Sequence, residues 1–161
     1  AKTNDMHARL VTSFFLRRAK KVYTAALVLP DDRNDDDLTK DAIHVDDPVQ
    51  NHPASSTFRF VRRTGERIGI FKVDLNTGRK HQVRIHAAEA LGAPVMLDIT
   101  YGPKPCDVGD SIRKINGDGD RAIDPRWFCL HASELSIPEH RVDVEAALPA
   151  WWDTLDLTRA E

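Results

Sequence analysis

Cysteine is scarce. The 161 residues hold two, Cys106 and Cys129, with no CxxC spacing and no disulfide framework. That scarcity favours a reducing intracellular compartment over a secretory route. No apolar run is long enough to span a bilayer, and the opening Ala1-Lys2-Thr3-Asn4-Asp5 has no apolar signal region, so a membrane role is not expected. Nucleotide and hydrolase signatures are missing as well. No GxxxxGK[ST], GxGxxG, GxSxG or HExxH pattern occurs, which removes local support for triphosphate, dinucleotide, serine-hydrolase and zincin chemistry. Asn116, Asp118 and Asp120 imitate the start of a calcium loop, but Arg121 stands where glycine is needed and Trp127 where glutamate is needed. His81 and His86 are one residue too far apart to share a helical face as ligands, and Cys129-Leu130-His131 lacks partners at zinc spacing. No metal is expected.

What is present is an ordinary globular composition, 41% hydrophobic and 30% charged, of a length that fits one domain able to bury its own core. The chain does not begin with Met and is expected to be part of a longer one. The net charge of −2 hides a segregation. Residues 1–29 carry +5 and residues 54–84 carry +6, while residues 30–53 carry −6 and residues 85–161 carry −7. Such alternation suits one positive face following a phosphate backbone, with scattered solvated charge as the competing reading.

Hydrophobic periodicity predicts an amphipathic helix over Asp5–Ala19, using Met6, Leu10 and Phe14, with Asn4 or Asp5 as its cap. Val22–Leu29 is aliphatic and β-branched, the composition of a strand buried on both faces. A polar insertion at about 30–55 is read as loop. Thr57–Arg63 and Arg67–Leu75 form an expected hairpin around Thr64-Gly65. Arg79–Leu91 reads as a helix beyond a Thr77 cap, stopping at Gly92-Ala93-Pro94. On it Val83, Ala87, Ala90 and Leu91 share a face, Arg84 sits at the margin, and Gln82, His86 and Glu89 point elsewhere. A second polar insertion covers about 102–126. A strand at Trp127–Ala132 and a hairpin from Leu135 to Leu148 around Pro138-Glu139 follow. Trp151 and Trp152 read as core packing before a base-stacking platform.

The start of the Arg79–Leu91 helix is unusually polar. Arg79, Lys80, His81, Gln82 and Arg84 crowd beside free backbone N–H groups and a positive dipole end, a setting that attracts phosphate. Basic surface decoration is the alternative.

The run Leu75-Asn76-Thr77-Gly78-Arg79-Lys80-His81-Gln82-Val83-Arg84-Ile85-His86 is followed by Leu91-Gly92-Ala93-Pro94-Val95, Asp98 and Tyr101-Gly102. Together they resemble the third motif of RluA-type pseudouridine synthases. Lys20-Lys21-Val22-Tyr23-Thr24-Ala25 is similar to the family's Lys-x-Tyr-x-Ala element, and Ala54-Ser55-Ser56-Thr57-Phe58 to the strand before the third motif. Leu130-His131-Ala132, Leu135-Ser136-Ile137-Pro138 and Glu145-Ala146-Ala147-Leu148-Pro149 continue the pattern.

The resemblance implies isomerisation of uridine to pseudouridine in RNA, tRNA or rRNA, with no cofactor. It implies three catalytic-site residues: Arg84, paired with the family's catalytic aspartate; Tyr23, against the flipped base; and Leu130, closing the pocket. Arg79, Lys80, Arg59, Arg62, Arg63 and Arg67 are the expected phosphate contacts, and His81 and His86 are expected to be structural. The family's His-Arg-Leu-Asp…Thr-Ser-Gly segment is absent from these residues, and Ala1-Lys2-Thr3 looks like the stretch just downstream of it. The chain is therefore expected to be inactive alone, with a non-catalytic RNA-binding domain as the alternative. The implied fold is α+β, a mixed and largely antiparallel sheet with flanking helices, forming part of a pseudouridine-synthase-like domain over residues 1–161. An unpaired sheet edge would invite pairing with another chain.

Overall fold

In the computed structural model of the chain, residues 2–31, 38, 41–64, 67–102 and 128–155 are described. The insertion expected at about 102–126 lies almost wholly outside them.

Among the described residues six strands form one sheet in the order β2-β3-β4-β1-β5-β6: β1 Lys20–Val28, β2 Ile43–Val45, β3 Ser56–Thr64, β4 Ile68–Leu75, β5 Leu130–Ile137 and β6 Val142–Glu145. Every strand pair is antiparallel. β1 lies inside the sheet, paired with β4 on one side and β5 on the other, and its residues Ala25, Ala26 and Leu27 are wholly buried. A strand covered on both faces needs the continuous apolar run that these residues supply. Its alternating side chains feed two cores. Ala25 and Leu27 join Phe58, Phe71, Val73, Val83, Ala87 and Leu91 on one face, while Ala26 and Val28 join Ile68, Ile70, Met96, Cys129 and Trp152 on the other. Trp152 is thus core packing, as its sequence setting suggests.

The first helix, α1, runs from Asn4 to Phe15 and is capped by Thr3, whose hydroxyl accepts the Met6 N–H at 3.2 Å, not by Asn4 or Asp5. It stops short of Ala19 because Arg17 turns to φ 58°. The expected apolar face is not its anchor. Of Met6, Leu10 and Phe14 only Leu10 is half-buried; Met6, Val11, Phe14, Phe15 and Leu16 are exposed, and the buried residue is Ser13, bonded to the Glu139 carboxylate and lying 3.0 Å from His140 Nε2.

The 30–55 segment is more than loop. Leu38, Val45 and Val49 are buried, and β2 pairs with β3, because apolar residues spaced among the aspartates reach the core. The β3–β4 hairpin is present, with Thr64 paired to Ile68 and so part of the strand instead of its turn. The two segments read as a strand ending at Ala132 and a hairpin starting at Leu135 are one strand, β5, with a register shift opposite Val22 and Tyr23 that absorbs the break in alternation. The turn into β6 does fall at Pro138–His140.

Between β4 and β5 the expected thirteen-residue helix is shorter and of mixed type. His81 takes a left-handed conformation at φ 58°, α2 spans Gln82–Ile85, and a π-helical turn spans His86–Ala90. Thr77 does not cap it. Gly92 closes the segment at φ 61°, a conformation that glycine adopts without side-chain strain.

Candidate active site around Arg84

The left-handed start at His81 and the π-helical turn from His86 change which side chains face the sheet. Gln82 and His86, expected to point outward, are 2% and 1% exposed. Gln82 is fully used. Its Nε2 donates to Ser55 O and Ser56 Oγ at 2.9 Å each, and its Oε1 accepts the Thr77 hydroxyl at 2.7 Å and the Arg79 N–H at 2.9 Å. His86 bridges Ser56 Oγ at 3.1 Å and Asp47 O at 2.9 Å, the structural role expected of it. The Thr77-to-His86 segment is thereby pinned to the start of β3.

That pinning presents Arg84 to Asp98. Nε donates to Oδ2 at 2.5 Å and Nη2 to Oδ1 at 2.7 Å, a bidentate pair with Arg84 9% and Asp98 2% exposed. Asp98 Oδ1 also accepts the N–H groups of Thr100, at 2.9 Å, and Tyr101, at 3.1 Å. Burial pushes the Asp98 carboxyl up, but the hydrogen bonds from Arg84, Tyr101 and Thr100 outweigh it and hold the group below its ordinary value. The Asp98 hydrogen bond likewise raises Arg84 against the cost of burial. The Arg84 guanidinium carbon lies 4.9 Å from the Tyr101 ring centre and 4.4 Å from that of Phe128. The Tyr101 hydroxyl and His81 Nδ1 are 3.0 Å apart, tying the Asp98–Gly102 turn to the start of α2.

Tyr23 and Leu130 sit on the same face of the sheet as this segment, each half-buried against the core cluster that contains Val83 and Ala87, as does Phe128. The three expected catalytic-site residues are gathered on one face. The basic residues are not. Arg59 pairs across the strands with Lys72, on the face opposite Phe58 and Phe71, and forms an ion pair with Asp74. Arg62 pairs with Ile70 on that same far face, and Arg67 is bonded to Leu29 O and Asp31. Lys80 is exposed and Arg79 half-exposed at the start of the Arg84 segment, with Arg79 Nε donating to Pro53 O at 3.0 Å. A cavity of about 560 Å³ on the far face is lined by Lys20, Val22, Ser136 and Val144 together with Glu134, Asp143 and Glu145. Three carboxylates against one ammonium make it a poor seat for phosphate.

Asp98, Tyr101 and Phe128 had no role assigned from sequence. One signal was available for the Gln82 network: a Gln three residues after Arg79, placed to reach back to its N–H as in a capping box.

Comparison with known proteins gives these groups a context. The family described as RNA pseudouridylate synthase matches residues 1–89. An RNA pseudouridine synthase of Aquifex aeolicus, itself uncharacterized, is 30% identical over 138 residues, covering 76% of this chain and 41% of that protein. Ribosomal large subunit pseudouridine synthase D of Blochmanniella floridana is 31% identical over 114 residues, covering 63% of this chain and 33% of that protein. The chain thus spans less than half the length of either relative. Among solved structures, human RNA pseudouridylate synthase domain containing 4 superposes with a TM-score of 0.74 at 21% identity, covering 95% of this chain and 67% of that one.

Proposed function

The chain belongs to the RNA pseudouridylate synthase family, and on that premise we propose that it forms the part of an RNA-isomerising domain that receives the target uridine and orients the catalytic carboxylate. The observation that carries this reading is that Tyr23 and Leu130 pack on the same core cluster as Phe128, over whose ring Arg84 lies, beside a basic helix start. The reaction detaches uracil from C1′, turns it and rejoins it through C5. The chemistry needs a base taken out of its stack, a flat surface to hold it and a group able to move a proton at C5. Tyr23 offers ring and hydroxyl together, Leu130 excludes water, and Arg84 offers a hydrogen-bond donor to a carboxylate. Arg79 and Lys80 contact phosphate and contribute affinity without sequence readout. RNA is the partner proposed.

These 161 residues contain no His-Arg-Leu-Asp segment, and the reading is that alone they bind RNA without turning it over. The test is tritium release from RNA labelled at uridine C5. The native gene product is expected to release tritium and the 161-residue chain none. Release by the chain alone would disprove its inactivity, and no release by the native product would favour a non-catalytic RNA-binding domain.

A further inference from the structure

We propose that Asp98, Tyr101 and Phe128 form a clamp that fixes the plane and direction of the Arg84 guanidinium, with Asp98 a positioning residue and not the reacting carboxylate. The inference rests on the functional reading above and names the groups through which its arginine acts.

The reacting carboxylate of such a site needs an oxygen lone pair open to the substrate. Asp98 has none so placed, because its side chain is shut off from solvent. Its two oxygens accept four hydrogen bonds, from Arg84 Nε, Arg84 Nη2, Thr100 N and Tyr101 N, and the residue is 2% exposed. What it does offer is direction. The bonds from Nε and Nη2 engage one edge of the guanidinium, so Nη1 lies outside the pair. The rings of Tyr101 and Phe128 lie within 5 Å of the guanidinium carbon and restrict rotation of its plane.

Both ends of the clamp are anchored. The Gly102 N–H donates to Asp98 O at 2.8 Å and closes the turn, and the Tyr101–His81 contact fixes it to the helix that carries Arg84. Electrostatics give this arrangement a further meaning. Arg84 and Asp98 together are neutral, so a second carboxylate arriving at Nη1 meets an oriented donor and only a part of the attraction of a lone guanidinium. Arg84 then works chiefly by geometry, and its effect depends on Asp98.

Two measurements test the clamp. In the 161-residue chain carrying ¹⁵N-arginine, Arg84 Nε–Hε is expected to give a slowly exchanging resonance that vanishes or shifts in Asp98→Asn and is partly regained in Asp98→Glu. In the native gene product, Asp98→Asn is expected to lower kcat for tritium release about 100-fold, the cost of a misplaced catalytic group. KM for RNA should stay within about threefold, because the missing interaction matters only at the reacting centre. Asp98→Glu should recover part of kcat. A wild-type kcat in Asp98→Asn, or a loss that merely tracks the unfolded fraction, would overturn the positioning role. If the wild-type gene product releases no tritium, the functional reading fails, and the clamp is decided by the resonance: unchanged in Asp98→Asn, it is refuted.

Discussion

Arg84 and Asp98 lie fourteen residues apart in sequence and meet edge to edge through bonds of 2.5 and 2.7 Å, almost wholly removed from water. A buried ion pair adds little net stability over apolar packing, yet breaking it leaves an uncompensated charge. Arg84→Ala and Asp98→Ala are therefore each expected to cost about 3–5 kcal/mol. The double variant should cost clearly less than the two losses combined, because it strands neither partner. Urea unfolding of the four proteins measures this, and additive losses would show that the pair is not coupled.

The same pair sets a pH dependence. The folded value of Asp98 is depressed below its unfolded one, so its contribution is fully present above the unfolded carboxylate range, about pH 4, and is lost as pH falls through the folded value. Asp98→Asn has no such group. The stability gap between wild type and Asp98→Asn should be widest near pH 7 and narrow below about pH 4. Chemical unfolding midpoints from pH 7 to pH 3 check the sign, and a gap that widens on acidification would contradict it.

Gly102 is required by close approach. A Cβ there would lie 2.3 Å from the carbonyl oxygen of Asp98, which accepts the Gly102 N–H, so backbone and not a pliable side chain would have to move. Gly102→Ala is expected to destabilise by about 1–3 kcal/mol, as overpacking does. It should also perturb the Arg84 Nε–Hε resonance. Gly92→Ala meets no atom within 4 Å and is strained only by its φ of 61°, so it should leave that resonance in place.

Much of the fold is legible in the residues, and the departures have physical causes. The strand Val22–Leu29, the hairpin and the Pro138 turn follow from composition and period, which depend on nearest neighbours in sequence. Gln82 and His86 depart from expectation because a constant helical angle does not hold through a segment that begins at a left-handed His81 and widens into a π-helix at His86. The α1 face departs for a different reason. Periodicity marks Met6 and Phe14 as alike and apolar, but only the fold decides what covers them, and there Ser13 makes the contact. The partner of Arg84 is beyond reach of spacing arguments, since Asp98 is brought to it by the course of residues 94–96 along β1.

The placement of the basic residues makes a final prediction about RNA binding. Removing one phosphate-binding cation should reduce the slope of log affinity against log salt by about 0.7–0.9. Arg79 and Lys80 sit at the start of the Arg84 segment, on the face where the uridine is proposed to bind. Arg59 lies on the far face, already paired with Asp74, and the cavity there is lined by three carboxylates. An RNA backbone following the Arg84 face cannot cross the sheet to reach Arg59. Lys80→Ala is therefore expected to weaken binding and lower the slope by close to the value for a single phosphate, and Arg59→Ala to leave both near wild type. Filter binding of uridine-containing RNA across a salt series, using the 161-residue chain, separates the two. If Arg59→Ala lowers the slope as much as Lys80→Ala does, the RNA wraps the edge of the sheet and the single-face account fails.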